Sequence, residues 1–222
     1  MEILITGDEA RKNEISELLP TDGNITYQAD ELPSDLKQFD LIIDLNLDEN
    51  PHNLQHYLQL KNKPVIGCSV KRQLTAMVAE HGKWPECRLI GMNLLPTFIN
   101  RELKEATLIN GKDEKAMDQT MKNLNWDYRL VEDRVGMATP RIILMIINEA
   151  FFTYQEGTAS IEDIDQSMKS GTNYPLGPFE WSEKMDLQNV YESLKAIYDD
   201  TLDERYKISP ALKTAYLRSS IQ

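Results

Sequence analysis

The chain has 222 residues, 41% hydrophobic and 27% charged, with 24 basic residues against 36 acidic ones and a formal charge of −12. A chain of this size can bury one large core or two small ones, and the composition is that of an ordinary water-soluble globular protein. The acidic balance leaves no basic cluster to displace counterions, which argues against nucleic acid as a partner.

In chain order, the first half alternates short apolar runs with helical patterns. The runs predict strands at Ile3–Thr6, Asn24–Tyr27, Phe39–Leu45, Pro64–Cys68, Arg88–Met92 and Asp127–Val131. "FDLIIDL" is apolar almost throughout, as expected of a strand covered on both faces. Helical periodicity falls at 8–18, 50–60, 71–82 and 113–124. Strands alternating with helices predict an α/β layered domain with a mainly parallel sheet over residues 1–132.

From residue 133 to the end the pattern predicts helices alone. "TPRIILMIINEAFFTYQEG" is a long helix with Thr139 as cap, Pro140 at the first helical position and Gly157 as the stop. Its middle is apolar nearly all round, which calls for a bundle interior or a subunit interface. Ser160, with Asp163 three residues on, caps the next helix. "YPLGPF" reads as a rigid turn built on Pro175, Gly177 and Pro178. A last pair of helices follows near 186–203 and 209–220, and Tyr174, Phe179 and Trp181 read as core aromatics.

The opening segment "MEILITGDEARKNEI" has the order strand, glycine, helix that begins a dinucleotide-binding fold. The fingerprint G-x-G-x-x-G starting at Gly7 asks for glycine at 9 and 12, where this chain has Glu9 and Lys12. The second glycine lets backbone approach pyrophosphate and the third lets helix pack on strand. Glu9 places negative charge where a phosphate would meet a helix N-terminus. Asp30 follows the second strand at the spacing of the acid that binds adenosine ribose. It is either that acid or part of a loop left after the ribose-binding element was deleted, and the short distance from Gly7 to Phe39 favours the deletion.

The two cysteines, Cys68 and Cys87, form no C-x-x-C and predict free thiols in a reducing compartment. Glu2 and the absence of a basic stretch before a long apolar one argue against a signal peptide. The longest apolar run, Ile142 to Ile147, is too short to span a bilayer. The cytoplasm is the expected compartment. His52 and His56 are spaced i, i+4, and His81 closes the following helix; with no third ligand apparent they read as surface histidines, and no metal is expected.

The segment "NEAFFTYQEGTASIEDIDQSMKSGTNYPLGPFEWSEKMDL" resembles the C-terminal helical domain of the 3-hydroxyacyl-CoA dehydrogenase family. The likeness rests on Asn148-Glu149-Ala150, on Ser160 to Met168 and on Gly171 to Glu180, without a gap. "FDLIIDLNLDE" and "IGMNLLP" resemble, more loosely, segments of the family's N-terminal domain. The resemblance implies a Rossmann-like NAD-binding domain over 1–132, shortened here, and a helical domain over 133–222 that dimerises. It implies NAD as cofactor, an acyl-CoA substrate and oxidoreductase chemistry of fatty acid metabolism.

Family members use a histidine that takes the hydroxyl proton, a glutamate that orients it, and serine and asparagine side chains that hold the reacting oxygen. Laid on this chain, the histidine position falls on Asn93, a carboxamide that cannot act as a base at neutral pH. The glutamate position falls on Glu105, which is retained. The asparagine position falls on Pro140, and the serine position near Val70, beside Ser69. The expectation is a homologue that is weakly catalytic or non-catalytic, with Gly7 and Asp30 as remnants of a cofactor site. The alternatives are a dehydrogenase with relocated residues and another small-molecule reductase of the same two-domain plan.

Overall fold

The computed structural model describes residues 1–20, 23–29 and 31–221. It divides into two compact units, Met1–Met137 and Ala138–Gln222. In the first, the elements run β1 (Glu2–Thr6), α1 (Glu9–Ser16), β2 (Asn24–Gln28), β3 (Leu41–Asp44), α2 (Leu54–Tyr57), β4 (Pro64–Cys68), α3 (Leu74–Glu80), β5 (Arg88–Met92), β6 (Leu103–Leu108), α4 (Glu114–Leu124) and β7 (Asp127–Leu130).

Among the described residues the seven strands form one sheet in the order β2-β1-β3-β4-β5-β6-β7. Every neighbouring pair is parallel except β5 and β6. The central strands carry Ile3, Leu4, Ile5, Leu41, Ile42 and Ile43, all fully or almost fully buried. Continuous apolar runs of this kind suit parallel strands hidden on both faces. After β2 the chain returns across β1 to place β3 on its other side. The carboxyl ends of β1 and β3 therefore bound the topological switch point, where open α/β sheets hold their ligands.

Two expectations for this unit change. The "LKEATL" strand β6 escapes the periodicity reading because adjacent Lys104 and Glu105 break the alternation, yet Lys104 points to the buried side. The helix expected at 50–60 is a 3-10 turn at Pro51–Asn53 followed by the single turn α2. Pro51 fits the start of that turn, which runs straight into α2.

The second unit is all helical: α5 (Thr139–Gln155), α6 (Ile161–Thr172), α7 (Pro178–Lys184), α8 (Leu187–Thr201) and α9 (Pro210–Ser219). Its core joins Leu144, Ile147, Phe151, Ile164, Trp181, Leu194 and Leu212. Phe179 packs against Phe151 at 4.8 Å between ring centroids, and Tyr154 meets it edge-on at 6.1 Å. Phe179 and Trp181 are core residues, whereas Tyr174 is half-buried. The segment read as a turn starts α7, with Pro178 at its first position, where a missing N–H costs nothing.

Residues of the recognisable motif fasten this unit. Asp165, 7% exposed, accepts the Phe179 N–H at 2.8 Å and the Glu180 N–H at 3.0 Å, so it caps α7 from α6. The Gly177 N–H donates to Glu180 Oε2 at 3.0 Å. A Cβ on Gly177 would lie 2.2 Å from the Asp165 carboxyl carbon, so only glycine fits there. Buried Asn148 accepts the Ser209 N–H through Oδ1 and donates to the Lys207 carbonyl through Nδ2, both at 2.9 Å. Asp165→Ala strips two buried amides of their acceptor and should cost about 2–4 kcal/mol in urea unfolding, whereas exposed Glu162→Ala should change stability by less than about 0.5 kcal/mol. Equal effects of the two substitutions would contradict the capping role.

Candidate functional site

The switch point is built from the turn after β1 and the loops after β3 and β4. Gly7 follows β1 with φ +134°, and its amide donates to the Gln28 carbonyl at 3.3 Å. A Cβ at Gly7 would lie 2.5 Å from Asn46 Oδ1 and 2.7 Å from Leu45 Cβ. The glycine is therefore required by a side chain of the protein itself, which lies directly over it. Asn46 Oδ1 accepts the Asp8 N–H at 3.0 Å, and Asp8 Oδ1 in turn accepts the Arg11 N–H at 2.9 Å. The start of α1, whose amides and dipole favour an anion, thus already holds a carboxylate and an amide oxygen.

Behind these bonds runs a charged network. The Arg11 side chain is 1% exposed; it donates to the Leu45 carbonyl at 2.8 Å and to Glu49 Oε1 at 2.6 Å. Lys71 Nζ reaches the same Glu49 oxygen at 2.9 Å, and Asn46 Nδ2 donates to Glu49 Oε2, also at 2.9 Å. Burial tends to raise the Glu49 carboxyl, but the charges of Arg11 and Lys71 hold it down at about 2. Asp48 Oδ2 accepts the Val70 and Lys71 amides at 2.8 and 2.7 Å. The network ties the ends of β1, β3 and β4 into one polar knot. Glu9 and Lys12, at the two missing glycine positions, are paired with each other at 2.9 Å.

Asp44 closes the knot from below. It is 1% exposed and accepts the Asn46 amide at 3.1 Å, Asn53 Nδ2 at 3.0 Å and the Tyr57 hydroxyl at 2.9 Å. Burial outweighs these bonds and pushes its carboxyl up from the ordinary 3.8 to about 6. Neither cysteine is poised for chemistry: Cys68 and Cys87 are free but buried, and burial raises both thiols.

The structure brings Asn93 and Glu105 side by side, since the Asn93 N–H donates to the Glu105 carbonyl at 3.2 Å across the β5–β6 pair. Asn93 is 5% exposed and its Oδ1 is turned into its own loop, toward the Leu95 amide at 3.4 Å. That loop is anchored by Glu14, whose two carboxylate oxygens each accept the Thr97 N–H at 2.9 Å. Ser69 and Val70 are buried at the end of β4, and Ser69 Oγ has no hydrogen-bond partner among the described residues. Pro140 belongs to the other unit, in the first turn of α5. Asp30 lies outside the described residues. His52 and His56 are exposed and His81 Nε2 contacts the Pro51 carbonyl at 3.2 Å. Among the described residues no group of three His, Cys, Asp or Glu side chains is placed to hold a metal ion.

Sequence reasoning found Gly7 and the lost glycines but missed Arg11, Asn46, Asp48, Glu49 and Lys71. For Asn46, Asp48 and Glu49 the local signal is "DLNLDEN", a polar burst at the end of an apolar strand.

Residues 136–220 match the family described as 3-hydroxyacyl-CoA dehydrogenase, C-terminal domain. Among curated proteins, a 3-hydroxybutyryl-CoA dehydrogenase of Clostridioides difficile is 28% identical over 80% of this chain and 66% of its own length. One of Bradyrhizobium diazoefficiens is 27% identical over 94% of this chain and 74% of its own. The chain thus spans about two thirds to three quarters of these relatives. Among solved structures, an (S)-3-hydroxybutyryl-CoA dehydrogenase from Ralstonia eutropha superimposes with a TM-score of 0.74, covering 98% of this chain and 94% of that one. At 19% identity that likeness speaks for the fold.

The displaced Asp44 carboxyl makes a pH prediction. Its value in the folded protein lies above the ordinary 3.8, so the stability it lends is full below pH 3.8 and is lost as pH rises through about 6. Relative to Asp44→Asn, the wild type should lose about 2 kcal/mol of unfolding free energy between pH 4 and pH 7. Two parallel stability curves in urea would show that Asp44 ionises in the fold as it does in the open chain.

Proposed function

The chain is a member of the 3-hydroxyacyl-CoA dehydrogenase family, and from that premise we propose that it is a non-catalytic homologue whose nucleotide crevice is closed by its own side chains. The observation that carries the reading is the bond from the Asp8 N–H to Asn46 Oδ1, made directly above Gly7. A pyrophosphate at this place would have to displace Asn46, part the Arg11–Glu49 pair and sit beside the Asp8 carboxylate. Removing one partner of a buried ion pair costs about 3–5 kcal/mol, which consumes much of the binding energy of a micromolar ligand. The residues at the crevice therefore do not fit NAD.

The reaction centre supports the same reading. Asn93 has no proton-accepting nitrogen, Glu105 stands beside it with no imidazole to orient, and Pro140 offers no side-chain hydrogen bond. A carboxamide cannot take the proton that must leave a hydroxyl when hydride departs from the adjacent carbon. What remains is a scaffold that binds other molecules rather than converting them, with acyl-CoA compounds as the small-molecule class to test first. No helix among the described residues is long and apolar enough to cross a membrane.

The helical unit supports a homodimer. Ile142 on α5 is 63% exposed, and it borders a groove of about 740 Å³ with Met145, Ile146 and Met168. Exposed apolar patches of this type mark association surfaces. Ile142→Glu should convert the dimer to a monomer in analytical ultracentrifugation without lowering the melting temperature of the monomer; an unchanged sedimentation coefficient would remove α5 from the interface.

Activity gives the direct test. With acetoacetyl-CoA and NADH, the loss of NADH absorbance should not exceed the buffer rate, and NADH should leave the melting temperature unchanged, since only a ligand of the folded state raises it. Turnover, or a saturable rise with micromolar NADH, would restore the reading of an active dehydrogenase with relocated residues.

A further inference from the structure

A second cavity, separate from the switch point, lies on the α1 side of the first unit. It measures about 480 Å³ and is bounded by the end of α1, the segment before β6, and the turn between α4 and β7. Its size falls in the range of small-molecule sites, roughly 300–1,000 Å³. Lys104, 6% exposed, lies in its wall. Nζ donates to the Arg101 carbonyl at 2.7 Å and sits 5.2 Å from the centre of the Trp126 ring. The ring is itself fixed, because Trp126 Nε1 donates to the Leu18 carbonyl at 3.1 Å.

An ammonium group carries three donors, and the Arg101 carbonyl takes one. No carboxylate among the described residues forms an ion pair with Lys104. The nearest acids of the cavity, Glu17 and Glu102, are exposed at its edge. Burial therefore lowers the Lys104 pKa from its usual 10.5 with no neighbouring charge to oppose it. A buried charge is ordinarily paired, and a lysine that serves only to fill space is replaceable by an apolar side chain at no cost or at a gain. Arg101 adds a second positive charge at the rim, while Leu18, Leu19 and Leu124 supply apolar wall.

We infer that this cavity binds a small organic oxyanion, a carboxylate or a phosphate ester, with Lys104 as its counter-ion and its apolar body against Leu18 and Leu124. The ligand supplies the missing acceptor to the ammonium, and the cation–π contact with Trp126 keeps the charge positioned when the site is empty. The inference is independent of the crevice at Gly7 and stands whether or not that crevice admits a nucleotide.

The test is a titration of the full chain at constant ionic strength with benzoate, phenyl phosphate, inorganic phosphate and benzyl alcohol, followed through the indole N–H resonances of Trp84, Trp126 and Trp181. Benzoate or phenyl phosphate should shift Trp126 saturably, leave Trp84 and Trp181 in place, and bind at least tenfold more weakly to Lys104→Met. Benzyl alcohol, which lacks the charge, should not compete. Lys104→Arg should retain binding, and Lys122→Met, a change at an exposed lysine, should not alter it. The tighter of the two organic ligands identifies the class, and inorganic phosphate shows whether the charge suffices alone. A Trp126 resonance unmoved by all the oxyanions, or one moved equally in wild type and Lys104→Met, overturns the inference.

Discussion

The hydrogen bond from the Asp8 backbone to the side chain of Asn46 is the contact on which the account turns. It joins the second residue after β1 to the second after β3, across the place in the sheet where strand order reverses. Everything around it is arranged to keep it. Gly7 leaves room for the amide, Glu49 holds the Asn46 nitrogen, and Arg11 and Lys71 hold Glu49. Taking an arginine and a carboxylate out of water is costly, so such a pair adds less to net stability than to the uniqueness of the arrangement. Here it fixes three loop ends in one geometry, and that geometry lies where a pyrophosphate would enter.

The two units differ in what the family likeness means. In the helical unit the recognisable residues are structural: Asp165 caps α7, Glu180 reciprocates at Gly177, and Asn148 clamps the chain before α9. These roles depend on hydrogen-bond geometry and survive whether or not a substrate is converted. In the sheet unit, on the proposed reading, the positions that would carry chemistry hold Asn93, Val70 and a filled crevice. A shared scaffold does not carry an activity with it. On the proposed reading, a strong resemblance and a lost reaction centre are compatible for this reason.

How legible was this in the sequence? β1 to β5 were readable because "ILIT", "LIID" and "PVIGC" are apolar runs that only a doubly covered sheet explains. β6 was not, since its buried side chain at 104 is a lysine, the residue type least expected inside. α7 was hidden because Gly177 and Pro178, reliable turn residues, also make a good helix start. The closed crevice was half visible. Glu9 and Lys12 stood plainly at glycine positions, but they turn out to pair with each other at the surface. The bonds that close the site from Asp8 and Arg11 to Leu45, Asn46 and Glu49 span 34 to 38 positions of the chain. Only the parallel crossovers bring these residues together, and no local pattern announces that. The adjacency of Asn93 and Glu105 was reachable through the family resemblance alone.

The most direct measurement is the behaviour of the backbone amides of Gly7, Asp8 and Arg11 in nitrogen–proton correlation spectra as pyrophosphate is added to the intact protein. These amides, already bonded to Gln28, Asn46 and Asp8 respectively, should keep their positions up to millimolar concentrations. Saturable displacement of those three resonances would show that the crevice opens to phosphate, and the account of a self-filled site would fail.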